Sequence, residues 1–306
     1  MRIIVCVLSL LLMLAAPLRA ADPGPGRLDI VPRVAVVSAF EPEWKVMKAS
    51  LGDAKSYQAN GVEFVTGTLA GRKVVLFLSG ISMVNAAMNT QLALDRFDVT
   101  GIVVSGIAGG VDPNLQIGDV TVAARWGQYL EAVFAREVDG KFEPPPWVKP
   151  PFANYGMIFP NDVNVRSANE PPAKRFWFDV DAGMLAAASK IGAIDLKRCT
   201  TEQACLPGAP RLVVGGNGVS GPVFVDNEAF RQYVFKTFDA HVLDMESAAV
   251  AMVAYANGVP FRAFRSLSDL AGGNRAGNEI RTFFQLASDN SAAVVQRFLT
   301  LWTPPR

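Results

Sequence analysis

Two short runs near the C-terminus hold the residues best suited to chemistry: Leu243-Asp244-Met245-Glu246-Ser247-Ala248-Ala249 and Arg265-Ser266-Leu267-Ser268-Asp269-Leu270-Ala271. Each sets a carboxylate at the end of an apolar stretch. A buried strand would deliver such a group to a sheet edge, and in open α/β sheets ligands bind outside the carboxyl ends of strands. Carboxylates placed this way suit a small polar substrate that needs a hydroxyl held and a proton delivered. Glu246 can accept from two vicinal hydroxyls, or simply serve as an acid at a helix N-terminus. Asp269, after Ser268, is a candidate proton donor, or a turn residue.

Further candidates lie upstream. Glu41-Pro42-Glu43 follows an apolar stretch, with Pro favoured in a first helical turn, where both acids would also complement the helix dipole. Gly106-Ile107-Ala108-Gly109-Gly110 follows another apolar stretch. Glycines there let a ligand approach the backbone, and exposed N–H groups can bind oxygens; an ordinary turn has the same composition. The run lacks the Gly-x-Gly-x-x-Gly spacing and the lysine of a phosphate loop. It is followed by Leu115-Gln116-Ile117-Gly118-Asp119-Val120. Ser220-Gly221-Pro222-Val223-Phe224-Val225 offers an aromatic that is either a stacking platform or a core residue.

These runs together resemble the purine nucleoside phosphorylase and uridine phosphorylase superfamily, in particular its methylthioadenosine/S-adenosylhomocysteine nucleosidases. The resemblance covers nearly all of the chain after residue 20, except the stretch 126–175. It implies a three-layer α/β sandwich around a central mixed sheet, a purine nucleoside as partner, no cofactor and no metal. It also implies a homo-oligomer, with a dimer favoured. By position it makes Glu43 the activator of an attacking water and Asp269 the acid near the base N7. Arg265 pairs with Glu43 or positions the water. Glu246, beside Met245, holds the 2′- and 3′-hydroxyls. Phe224 stacks on the base and the Val225 backbone pairs with its edge, while Ile107, Ala108 and Gly109 complete the substrate site.

Phosphorylases of the superfamily build a phosphate site from Gly and Arg where this chain has Glu and Pro, which favours water as the nucleophile. Ile107 is a departure, because the nucleosidases place Ser or Thr there. Gly215 to Ser220, Phe224 to Asn227 and a nearby Cys pair resemble plant bark and vegetative storage proteins of the same superfamily. The favoured expectation is an exported nucleoside hydrolase acting on an adenosine-type nucleoside. A phosphorylase and a non-enzymatic nucleoside-binding or storage protein are the alternatives; intact Glu43, Glu246 and Asp269 favour an enzyme.

The elements that must position these residues show as apolar runs alternating with helical spacing, the pattern of strands covered on both faces. Strands are expected at 33–38, 73–78, 101–105, 120–124, 211–214, 241–244 and 260–266. Helices are expected at 43–51, 83–97, 181–190, 227–238, 245–257 and 282–299. From Trp126 to Arg175 the pattern breaks around Pro144-Pro145-Pro146-Trp147, indicating an irregular insertion packed on the sheet, a candidate lid. It is too apolar for a disordered linker.

Met1-Arg2, the apolar run Ile3 to Leu14 and the small residues up to Ala20 read as a secretory signal, too short to span a bilayer; an uncleaved anchor is the alternative. The chain then works outside the cytoplasm, periplasmic or secreted, with no membrane attachment after cleavage. Of 29 basic residues, Arg2 and Arg19 leave with the signal, so 27 face 28 acids, a net charge of −1. That gives no electrostatic footprint for nucleic acid. Half the 306 residues are apolar, enough for one large α/β domain. Cys199 and Cys205 would pair in an oxidising compartment, or stay as two thiols. A single histidine, His241, and no second Cys pair argue against a metal site.

Overall fold

The computed structural model describes residues 26–304, so the expected signal lies outside the described residues. A twelve-stranded mixed sheet forms the middle layer. Strand Arg33–Ser38 runs parallel to both its neighbours, Arg72–Leu78 and Val99–Gly110. Its side chains alternate between two cores: Ala35 and Val37 on one face, Val34 and Val36 on the other. Helices Met83–Arg96 and Ser247–Asn257 cover the first face; Glu41–Ala49, Ala182–Ala188 and Ile280–Leu301 cover the second. The fold is therefore the expected three-layer sandwich. The uninterrupted apolar strands follow from burial on both sides.

Five strands of the sheet escaped the sequence reading: Gly52–Ala59, Val62–Leu69, Arg125–Gln128, Trp177–Asp179 and Asn217–Ser220. Gly52–Ala59 and Val62–Leu69 form antiparallel hairpins with each other and with Arg72–Leu78. Both turns are two residues long. Asn60-Gly61 has φ values of 49° and 78°, and Ala70-Gly71 has 48° and 77°, the left-handed pair that tight hairpins require.

The strand Val99–Gly110 shapes the site. On one edge its first half pairs with Arg33–Ser38, as far as Val37 opposite Val104. Its last two residues pair on that edge with Ala240–Asp244, which arrives antiparallel, with Leu243 opposite Gly109. The two neighbours stop short of each other, so Ser105 to Ala108 have no strand on that edge. The opposite edge is paired with Phe261–Asp269 almost throughout. This corrects the expectation that Gly106–Gly110 is a loop after a strand ending at Ser105. Phe261–Asp269 keeps the glycine run extended, and Gly106 lets side chains sit where a Cβ would otherwise be.

The stretch 126–175 is also more regular than expected. Trp126 lies fully buried in a central-sheet strand, Arg125–Gln128. Short antiparallel pairs follow, and Trp177–Asp179 returns to the sheet. Phe152 and Phe176, with ring centroids 4.4 Å apart, pack this segment onto Phe238. Cys199 and Cys205 are disulfide-bonded. No helix among the described residues is long and apolar enough to cross a membrane.

Candidate active site

A cavity of about 160 Å³ opens over the gap in the sheet. Glu43, Ile107, Ala108, Gly109, Phe224, Val225, Met245, Glu246 and Asp269 all line it, so the fold brings together nine of the ten residues named for catalysis or substrate binding. The tenth, Arg265, is fully buried beneath the lining.

Glu43 sits in the first turn of the helix Glu41–Ala49, after the strand that stops short. Its Oε2 accepts from the N–H groups of Ala39 (2.9 Å) and Phe40 (3.0 Å), and Oε1 from Ile107 N–H (2.8 Å). The last is a group that the gap leaves without a ladder partner. A carboxylate offers about four lone-pair positions. Three are taken, which leaves one without a hydrogen bond on a residue that lines the cavity. Burial raises the pKa of Glu43, while Arg265 and the three N–H donors pull it down.

Glu246 follows the second strand that stops short. Its Oε1 accepts from Ser82 N–H (2.8 Å) and its Oε2 from Arg265 Nη2 (3.1 Å). Burial pushes its pKa up to about 7, against the pull of Arg265. Ser82 holds its amide in place with φ 82° and ψ 161°, a region almost reserved for glycine.

Arg265 pairs with Glu43, as expected, but only at ion-pair distance and from beneath the lining. Its Nη1 is 4.0 Å from Glu43, beyond a hydrogen bond, and it does not line the cavity. Its closest partner is Asp244, at 2.7 Å from Nε. Asp244 is the residue the sequence reading passed over as a site member. It also accepts from the hydroxyls of Ser220 and Ser247 and from the N–H groups of Glu246 and Ser247. Burial opposes the Arg265 charge, but Asp244, Glu246 and Glu43 together hold its pKa above the ordinary value. Three buried carboxyls thus share one guanidinium.

Asp269 ends the strand Phe261–Asp269. Ser268 hydroxyl donates to its Oδ2 (2.9 Å) and Ala271 N–H to its Oδ1 (2.8 Å). Burial raises its pKa above the usual carboxyl range, and these donors only partly offset that. A carboxyl held this way can carry a proton and release it. Opposite, Phe224 stands at the rim with 55 % of its surface exposed, while Val225 is buried. Among the described residues the Val225 N–H and C=O make no hydrogen bond, so this buried edge is open to a ligand.

The sequence has relatives. A family model described as "Phosphorylase superfamily" matches residues 33–300. A 5′-methylthioadenosine/S-adenosylhomocysteine nucleosidase from Marinomonas sp. (strain MWYL1) is 30 % identical over 266 residues, covering 87 % of this chain and 97 % of the relative. Bark storage protein A from Populus deltoides is 29 % identical over 255 residues, 80 % of each chain. Among solved structures, a nucleosidase of the same description from Colwellia psychrerythraea 34H, in complex with adenine, superposes with a TM-score of 0.64. It is 26 % identical, and the match covers 89 % of this chain and 95 % of that one.

Proposed function

The chain belongs to the phosphorylase superfamily, and within it we propose a purine nucleosidase that cleaves adenosine-type nucleosides such as methylthioadenosine or S-adenosylhomocysteine with water. The observation that carries this reading is the charge of the lining. Among the described residues it holds four carboxyl groups, Glu43, Asp244, Glu246 and Asp269, and no Lys, Arg or His. Arg265, the nearest cation, is engaged by Asp244 and Glu246 beneath the surface. A phosphate dianion would enter against these acids with no free cation to meet it, whereas a water needs only the open position on Glu43.

The chemistry follows from the geometry. The base lies against Phe224 with its edge on the Val225 backbone. Glu246 accepts from the 2′- and 3′-hydroxyls. Asp269 gives its proton to N7 as the C1′–N9 bond breaks, relieving charge on the departing purine. The flanking carboxylates favour positive charge at C1′. Water attacks C1′ and its proton passes to Glu43. The products are free purine and free ribose or its 5′-thio derivative. Ile107 supplies its backbone N–H to Glu43, and Ser268 supplies a hydroxyl at the acid.

Incubation with methylthioadenosine, with and without phosphate, tests this by reversed-phase chromatography. Adenine and the free thiosugar appear at the same rate in both. A strict requirement for phosphate, with sugar 1-phosphate as product, would sink the hydrolase reading. Adenine binding without cleavage of any nucleoside would favour storage.

The working form in this proposal is an exported homodimer. Export is supported by the N-terminal run and by the Cys199–Cys205 bond, and sequencing the N-terminus of periplasmic or secreted protein checks it. The dimer is supported by Ile81, Val84 and Met88, apolar and 48 %, 78 % and 57 % exposed beside the cavity, a patch a second copy would cover. Val84→Asp then shifts the species seen by light scattering to monomer; an unchanged mass rejects that surface.

A further inference from the structure

A second cavity, of about 740 Å³, adjoins the first. An aromatic pair separates them. Phe40 lines the first and Phe284 the second, with ring centroids 5.9 Å apart, edge to face. Ile280 and Arg281 divide in the same way at the start of the helix Ile280–Leu301. Both rings are half-buried, so the partition is exposed at its rim. The disulfide loop from Cys199 forms part of the second cavity's wall.

The nucleosidase reading, on which this inference rests, assigns three ends of the first cavity. The base sits by Phe224, Val225 and Asp269, the vicinal hydroxyls by Glu246, and the water by Glu43. Phe40, Ile81 and Ile280 remain for the 5′ position. At about 160 Å³ the cavity is smaller than the roughly 300–1,000 Å³ of most small-molecule sites. A long 5′ arm must therefore leave it, and the Phe40–Phe284 rim leads into the second cavity.

The two cavities differ in charge. Among the described residues the first has four carboxyls and no cation in its lining. The second has Lys197, Arg198 and Arg281 against Glu202 and Asp289. Lys197 is held by Asp289 at 2.6 Å. Arg198 donates to the carbonyls of Leu206 (2.7 Å) and Pro207 (3.1 Å), bracing the disulfide loop. Glu202 accepts from the Thr201 hydroxyl at 2.7 Å. Arg281 is exposed and, among the described residues, has no hydrogen bond or ion pair. We propose that the second cavity is a subsite for an acidic tip on the 5′ arm, with Arg281 as its contact. Adenosines whose 5′-thioalkyl arm ends in a carboxylate are then preferred over neutral arms of the same length.

The test compares a 5′-thioalkyl adenosine ending in a carboxylate with its primary amide. In the wild type kcat/KM favours the acid by about fivefold, the scale of one exposed charged contact. In Arg281→Gln the two become equal. The ratio is taken within each protein, so a lower folded fraction cancels. A wild-type ratio near one, or a preference that persists in Arg281→Gln, overturns the subsite. Methylthioadenosine run alongside separates the two failures: if it is cleaved and the acid is not preferred, only the subsite falls. If no nucleoside is cleaved, the hydrolase reading falls, and calorimetric affinities for the same acid and amide decide the subsite, equal affinities rejecting it.

Discussion

Gly106→Ala puts one methyl group at the centre of the proposed machinery. Gly106 lies on the strand segment with an empty edge, and its missing side chain is the space that Glu43 and Arg265 occupy. A Cβ there would stand 2.3 Å from Arg265 Nη1, 2.5 Å from Glu43 Oε1 and 2.8 Å from Glu43 Cδ. Ordinary contact needs about 3.5 Å, so the acid and the guanidinium must retreat by roughly 1 Å. They cannot retreat independently, because Glu43 is tied to three backbone N–H groups and Arg265 to Asp244 and Glu246. A displacement of that size costs about 10²-fold in rate, and overpacking of this kind costs about 1–3 kcal/mol in stability. The assay is initial-rate nucleoside cleavage with a thermal melt on the same preparation. Gly52→Ala is the control, since its Cβ meets nothing closer than Thr68 O at 3.7 Å. If Gly106→Ala melts as a folded protein and keeps kcat/KM within about threefold of the wild type, the assignment of Glu43, braced by Arg265 beneath it, as the activator of the water is wrong.

Asp269→Asn keeps the shape and hydrogen bonds of the acid but cannot deliver a proton, so turnover falls by about 10²–10⁴-fold; titration with adenine gives an unchanged affinity, because Phe224 and the Val225 backbone are untouched. Stability carries a pH signature from Glu246. Its folded pKa, about 7, lies above the ordinary glutamate value of 4.5, so the folded state holds a proton that the unfolded chain has lost. Stability therefore falls as pH rises from about 4.5 to about 7, by roughly 1.4 kcal/mol per pH unit for one proton, and levels off above. Denaturant melts across that range show a shallower slope in Glu246→Gln than in the wild type, the remainder coming from Glu43 and Asp269, which burial also raises; an equal slope in both assigns the proton elsewhere. Reduction of the Cys199–Cys205 bond, which closes a loop with a sequence separation of 6, lowers stability by about 2 kcal/mol on the loop-closure model. A denaturation midpoint that does not move under reductant, with both thiols then labelled, contradicts it.

What the sequence shows of this fold depends on what each element buries. The strands Arg33–Ser38, Arg72–Leu78 and Phe261–Asp269 are buried on both faces and read directly as apolar runs. Gly52–Ala59 is exposed along most of its length, so its hydrophobic pattern is silent, and only the Asn60-Gly61 turn marked the hairpin. The cavity lining was readable because carboxylates at strand ends are conspicuous among apolar neighbours. Ser82 and Asp244 were not readable as site residues. Ser82 contributes a backbone N–H, which any residue type supplies. Asp244 works beneath the lining, and its role depends on a strand pairing that no local pattern encodes. The Gly106–Gly110 run was misread for a related reason: glycines that open a turn and glycines that make room beside a strand are the same in sequence.

The electrostatics bear on whether this is an enzyme or a storage protein. Glu43, Asp244 and Glu246 are all buried around a single guanidinium. Removing each such ion from water costs several kcal/mol, and its pairing regains that only with good geometry. Here three acids share one cation, so the cluster stays short of charge balance unless one carboxyl keeps a proton, and burial already drives Glu246 that way. Ser82 adds backbone strain of about 1–3 kcal/mol to aim its amide at the same Glu246. A storage protein with no reaction to catalyse would gain from replacing this cluster by apolar side chains of similar volume. Retaining buried acids, a shared proton and a strained amide together makes sense when the cluster faces a sugar whose C1′ becomes positive during the reaction. The cluster then stabilises the charge that appears there, and the stability it costs is recovered as rate.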